Sequence, residues 1–219
     1  MKKRLIIGLL LLFLLSTYNI KFNKTFFSNL QIKKITIENN KIIKDKEIKE
    51  KLSFLYETNF FFLRTKTIEK KLREIQFIES YQIKKIYPNN LIIKITEKKP
   101  IAIIQKSKQK KYFTVRGDLI DFRKIKIFED LPNVFGDEKS FATFYVNLKN
   151  INFPFKEIKT FYLFESKRWD LLTLKNQLIK LPINNYNKSL LNFISLKDQT
   201  NFEKYKIFDY RIKDQLILK

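Results

Sequence analysis

Residues 31–104 read QIKKITIENNKIIKDKEIKEKLSFLYETNFFFLRTKTIEKKLREIQFIESYQIKKIYPNNLIIKITEKKPIAII, and this stretch decides the fold. Its hydrophobic period changes several times, and each change marks an element. Ile35 and Ile37 alternate with polar residues, as in a half-buried strand. Asp45 is placed to cap a helix whose apolar stripe is Ile48, Leu52 and Leu55. Thr65 or Thr67 is placed to cap a second helix with the stripe Ile68, Leu72 and Ile75. Tyr81 to Tyr87 reads as a second strand. Pro88-Asn89-Asn90 is turn chemistry, because proline presets φ and asparagine tolerates the left-handed region. Leu91, Ile93 and Ile95 alternate in a third strand. The order is β-α-α-β-β, with two helices laid on one face of a small sheet.

With that order, the Ile-x-Ile opening and two local sequences, the stretch resembles a POTRA domain. The sequences are Tyr87-Pro88-Asn89-Asn90-Leu91 and Ile93-x-Ile95-x-Glu97-Lys98-Lys99-Pro100-Ile101-Ala102. Placed just after one N-terminal apolar run, it resembles the FtsQ/DivIB family of bacterial division proteins. Two positions depart from the family pattern. Asn39-Asn40 stands where glycine usually follows the first strand, and Gln76 stands where proline often precedes the aromatic at Phe77. Asparagine substitutes tolerably for glycine at positive φ, so the turn is expected to survive.

The composition excludes whole classes of chemistry. The 219 residues contain no cysteine and no histidine, so there is no disulfide, no Cys/His zinc site and no histidine-based acid–base or nucleophile machinery. With only Gly8, Gly117 and Gly136, no glycine-rich phosphate loop can be built. Carboxylates remain, but none sits in a recognisable catalytic setting. These exclusions point to a non-enzymatic binding or scaffold role with no cofactor and no small-molecule substrate. The net charge of +23 invites a nucleic-acid reading. However, the excess is scattered lysine, accompanied by raised isoleucine, asparagine and phenylalanine, and no RNA-binding module is present. No nucleic-acid partner is expected. A general attraction to anionic surfaces is expected, screened beyond about 8 Å at physiological salt.

Lys2-Lys3-Arg4 precede an apolar run, Leu5 to Leu15, that continues to Ile20. Sixteen residues of helix from Leu5 to Ile20 span about 24 Å, short of a bilayer core of about 30 Å. A cleaved signal peptide is the competing reading. No small-residue cleavage site follows, and Lys21, Phe22, Lys24, Phe26 and Phe27 are suited to an interface. The expected organisation is a cytoplasmic N-terminus at 1–4, a transmembrane anchor at 5–22, a juxtamembrane linker at 23–30, a POTRA domain at 31–100 and a C-terminal β domain at 101–219. The basic N-terminal flank keeps that end in the cytoplasm and sends the remainder to the periplasm, giving a single-pass type II protein of the cell inner membrane. The tract Phe60-Phe61-Phe62-Leu63 reads either as a loop folded back over the core or as a partner or lipid contact.

Beyond Pro100, residues 101–104 continue as a strand and Lys106 to Lys111 read as a turn. Tyr112–Val115 and Leu119–Phe122 flank Arg116-Gly117-Asp118 as a hairpin. Asp137 is placed to cap a helix running to about Leu148, with Phe141, Phe144 or Tyr145, and Leu148 inward. Ile158 to Leu181 reads as a three-stranded meander ended by Pro182. Asn187 to Leu196 reads as a helix with Leu190, Leu191 and Ile194 available for burial. Ile207 to Ile212 and Leu216 to Lys219 read as a terminal hairpin at a sheet edge, where unpaired main-chain groups recruit a partner strand or need protection. The fold class is α+β: one transmembrane helix, a POTRA domain, then a mostly antiparallel β domain with short helices.

The family resemblance extends through this half. Gly117 to Asp121 is similar to the family's Gly-x-aliphatic-x-Asp stretch. Leu131-Pro132-Asn133-Val134-Phe135-Gly136 is similar to its Leu-Pro-x-Leu/Val-x-Gly segment, and Arg168-Trp169-Asp170-Leu171 to its Arg-Trp-Asp/Glu-Leu signature. Trp169 reads most simply as packing between sheet and helix. Ile212 stands where the family often has an aromatic, so a contact made by that aromatic does not transfer. The resemblance implies a scaffold that links early and late division proteins at the septum. It also implies strand addition at the C-terminal edge by a small coiled-coil partner of FtsB type that arrives with FtsL. Candidate partner-binding residues are Arg168, Trp169, Tyr210, Arg211, Ile212, Leu216, Ile217 and Leu218. Two other functions compete: a POTRA-containing component of outer-membrane transport or assembly, and a secreted basic protein binding polyanions.

Overall fold

The computed structural model describes residues 2–16, 31–106 and 109–219. The chain divides between Thr96 and Glu97. An apolar helix α1 occupies Lys2–Ser16. Among the described residues no helix is long and apolar enough to cross a membrane. The expected anchor at 5–22 runs past Ser16 into residues outside the described ones.

The first unit contains β1 (Lys34–Glu38), α2 (Asp45–Lys51), α3 (Thr65–Arg73), β2 (Ile78–Ile86) and β3 (Asn90–Glu97), with a 3-10 turn at Ser53–Glu57. The sheet order is β1-β3-β2, and β1 runs parallel to β3 with Ile35 opposite Leu91 and Ile37 opposite Ile93. This is the β-α-α-β-β arrangement read from the periodicity. Ile48, Leu52, Leu55, Ile68 and Leu72 are fully buried, as are Leu91 and Ile93 on the sheet. Asn39 adopts φ +66, the left-handed conformation that a glycine would otherwise supply after the first strand.

Both expected caps in this unit are corrected. Lys44 and Arg64 occupy the N-cap positions, and neither makes a side-chain cap bond. Asp45 is instead the first helical residue, where its carboxylate accepts from the Asn40 amide and from Lys49 Nζ at 3.4 Å. A negative charge in a first helical turn is still favourable to the helix dipole. The Phe60–Leu63 tract splits its duties. Phe60 and Leu63 are buried, whereas Phe61 and Phe62 are exposed.

The second unit is one nine-stranded mixed sheet. Its strands are β4 (Pro100–Lys106), β5 (Gln109–Thr114), β6 (Leu119–Asp121), β7 (Asn133–Phe135), β8 (Ile158–Leu163), β9 (Trp169–Thr173), β10 (Leu178–Lys180), β11 (Ile207–Asp209) and β12 (Ile217–Leu218). Their order is β12-β11-β10-β9-β8-β7-β4-β5-β6. Pairing is parallel at β4–β7, β7–β8 and β10–β11 and antiparallel elsewhere. Helices α4 (Glu138–Asn150) and α5 (Tyr186–Leu196) connect strands. Asp137 caps α4 as expected, accepting the Ser140 N–H at 2.8 Å.

Residues that stand side by side across the sheet share a face, so the register shows where the core lies. Val134, Phe161, Leu171, Ile179 and Phe208 form one such row, and all are fully buried. Phe141, Phe144 and Leu148 of α4 and Leu190 and Phe193 of α5 complete this core. Leu191, expected on the buried stripe of α5, is half exposed. Tyr186, Leu190, Phe193 and Ile194 follow the i, i+4, i+7, i+8 spacing, and these are the positions that pack on the core. Where a turn was expected at 106–111, β4 runs to Lys106 and β5 begins at Gln109. The terminal strands are shorter than expected: β11 stops at Asp209 and β12 holds two residues.

Candidate partner interface at the sheet edge

Strand β12 is the last strand at one end of the sheet. It pairs with β11 through Phe208 opposite Leu218 and Asp209 opposite Ile217. Lys219 closes the ladder: its carbonyl accepts from Lys206 and Ile207 at 2.7 and 2.9 Å, and its N–H donates to Ile207 at 3.1 Å. Antiparallel pairs alternate between bonded and non-bonded, so Leu218, the neighbour of this bonded pair, turns its N–H and C=O outward. The edge is open but only two residues long, a common restraint on unwanted pairing.

On the face opposite the core, another row crosses the sheet: Tyr162, Asp170, Lys180, Asp209 and Ile217. Two arginines are fastened to it. Arg168 donates from Nε and Nη2 to Asp170 at 3.1 and 3.4 Å, and its guanidinium lies 4.3 Å from the Phe164 ring centre. Arg211 grips Asp209 from Nε at 2.8 Å and Nη2 at 2.6 Å, and its own N–H donates to the same carboxylate at 3.1 Å. The two carboxylates respond oppositely. Bonding to Arg211 holds Asp209 below the ordinary carboxylate range. Burial pushes Asp170 above it, against the opposing effect of Arg168.

Beside the edge runs a groove of about 800 Å³, lined by Arg168, Pro182, Asn185, Asn192, Tyr210 and Leu216 among others. Tyr210 anchors its floor. The ring is buried, the hydroxyl donates to Asn192 Oδ1 at 2.9 Å, and burial pushes the phenol pKa up.

The structure therefore brings together seven of the eight residues singled out in the sequence. Arg168, Tyr210, Arg211, Ile212 and Leu216 line the groove, and Ile217 and Leu218 form the edge. Trp169 stands apart: it is buried and stacks on Phe144 at 4.7 Å, so it joins sheet to helix and presents no surface. Sequence reading missed Asp170, Lys180 and Asp209. A usable signal existed in Arg168-x-Asp170 and Asp209-x-Arg211, which set an arginine two residues from a carboxylate at the end of a strand. Asn192 carried no such signal, because it reaches Tyr210 only through the docking of α5. Among the described residues no cluster of acidic side chains is arranged to hold a metal ion.

Residues 30–98 match the family described as POTRA domain, FtsQ-type. Fold and edge together define an α+β protein with an FtsQ-type POTRA domain followed by a large mixed sheet. The cell division protein DivIB of Bacillus cytotoxicus is 30% identical over 62% of this chain and 53% of its own length. The cell division protein FtsQ of Rickettsia prowazekii is 25% identical over 84% of this chain and 70% of its own length. The chain thus spans about half the length of the first of these relatives. A solved extracytoplasmic domain of DivIB from Geobacillus stearothermophilus aligns with 46% of this chain and 91% of its own, at 12% identity and a TM-score of 0.34, too low to bear on the fold. Residues 30–98 thus carry an FtsQ-type POTRA domain, and over longer stretches the chain is similar to the cell division proteins FtsQ and DivIB.

Proposed function

We propose that this chain is a non-catalytic scaffold of the cell division machinery, held in the inner membrane by one uncleaved N-terminal helix. Its two folded units stand in the periplasm at the septum and link early and late division proteins. What supports the membrane reading is the apolar run behind Lys2-Lys3-Arg4. Helix α1 has 15 residues, about 22 Å at ~1.5 Å per residue, so the span calls on residues beyond Ser16.

One observation carries the scaffold reading: the outward main-chain groups of Leu218 lie at an open sheet edge, flanked by Arg211 and by the groove above Tyr210. An extended partner segment adds there as a further strand, with main-chain bonds giving geometry and side-chain pockets giving selectivity. Arg211 is nearly half exposed even while bound to Asp209, so it also meets an acidic side chain on the incoming strand. The partner is a small single-pass coiled-coil protein of FtsB type, accompanied by one of FtsL type. Proline at 218 removes the outward N–H while leaving the inner ladder, made by Lys219, intact. Full-length Leu218→Pro, solubilised from membranes, is expected to lose the co-purifying coiled-coil protein while keeping wild-type Trp169 fluorescence. Retention of that protein by a folded Leu218→Pro chain would contradict the proposal.

A further inference from the structure

The three most exposed aromatics of the POTRA domain, Phe61, Phe62 and Tyr87, gather at one pole. Phe61 is 58% exposed, Phe62 76% and Tyr87 64%. Tyr87 lies 5.8 Å from Phe61 and 5.1 Å from buried Phe60, ring centre to ring centre. The arrangement is braced. Phe60 and Leu63 plug the core, and the Asn59 side chain and carbonyl accept the N–H groups of Phe61 and Phe62 at 2.9 and 3.1 Å. Lys85 Nζ donates to the Leu63 carbonyl at 3.1 Å. Holding Phe60 and Leu63 inward forces Phe61 and Phe62 out, so two adjacent phenylalanines are presented to whatever lies beyond this pole.

The chain enters the domain at the same pole. Gln31 bridges Asn59, Ile32 N–H donates to Thr58 at 3.4 Å, and Lys33 N–H donates to Asn89 in the turn after Tyr87 at 2.9 Å. Lys33, Lys34, Arg64 and Lys66 are exposed around it, and Glu57 is the one acid in residues 56–66. Between Ser16 and Gln31 lie fourteen residues, a reach of no more than about 50 Å even fully extended. Those residues include Phe22, Phe26, Phe27, Lys21 and Lys24, the residue types favoured at a lipid–water boundary.

We infer that Phe61, Phe62 and Tyr87, ringed by these basic residues, insert into the outer face of an anionic lipid bilayer and hold the POTRA domain against the membrane. The inference rests on the membrane reading of the N-terminal helix. Aromatic side chains seat at the acyl boundary, and each nearby Lys or Arg adds attraction to anionic headgroups. The effect is to fix the orientation of the POTRA domain on its tether.

The chain lacks cysteine, so single labels are unambiguous. Full-length Phe62→Cys, Lys94→Cys and Leu10→Cys each carry a nitroxide in nanodiscs of mixed phosphatidylcholine and phosphatidylglycerol. Collision with oxygen, which favours lipid, is compared with collision with an aqueous nickel chelate. The expected oxygen-to-nickel ratio is severalfold higher at Phe62 than at the exposed sheet residue Lys94, approaching that at Leu10. A Phe62 ratio equal to that at Lys94, with Leu10 in lipid, overturns the inference and leaves the anchor standing. Shielding of Phe62 from both reagents marks a protein contact and also overturns it. An aqueous Leu10 overturns the anchor and the inference together.

Discussion

Asp170 and Asp209 sit one strand either side of Lys180 on the sheet face opposite the core, each gripped by an arginine, yet their pKa shifts have opposite signs. Asp209 is depressed by Arg211, so it adds stability above its unfolded value, near 4, and surrenders it as pH falls through the folded value. Asp170 is raised by burial, so its ionisation subtracts stability as pH climbs from the unfolded value through the folded one. Losing the charge at Asp209 should therefore hurt more at neutral pH. Asp209→Asn is expected to lower stability at pH 7 by about 1–2 kcal/mol and to flatten the acid limb below pH about 4. Asp170→Asn is expected to lose clearly less at pH 7. Urea unfolding followed by Trp169 fluorescence checks both, and equal losses at pH 7 would contradict this assignment.

At the scale of elements, local chemistry was legible and assembly was not. Asp137 was readable as a cap because its carboxylate takes both the N–H and the hydroxyl of Ser140, three residues on. Asp45 was misread because Asn40, five residues upstream, takes the same carboxylate. The hairpin joined by Gly117 at φ +86 was readable from turn chemistry. The parallel neighbours β4–β7 and β10–β11 were not, because each is set by a long excursion of chain whose return position no local period encodes. The groove beside β12 went unread for the same reason, since α5 supplies one wall and the terminal segment the other. The Leu-Pro-x-Val-x-Gly segment acquires a physical reason here. A Cβ at Gly136 would lie 2.8 Å from Leu163 Cβ and 3.5 Å from the Trp169 ring. Gly136→Ala is expected to push β8 and the tryptophan outward and to cost about 1–3 kcal/mol. Thermal or urea unfolding measures it, and an unchanged midpoint would show that the approach is looser than described.

Across the whole molecule, the two folded units offer different surfaces. The first presents an aromatic and basic pole at its point of entry, the second a sheet with two free ends, β12 and β6. These ends differ in kind. β12 lies beside Arg211 and the groove, whereas β6 is a three-residue strand whose Asp121 faces Lys111 at 3.9 Å. Ile217 and Leu119, one at each end, are equally exposed at 37%, which makes them a matched pair. The most direct test of the scaffold reading places a photo-reactive residue at one or the other in the full-length chain in dividing cells. The result expected is a discrete adduct from Ile217 with a small single-pass membrane protein carrying coiled-coil heptads, and none from Leu119. Equal adducts from both positions, or an adduct with that protein only from Leu119, would contradict it.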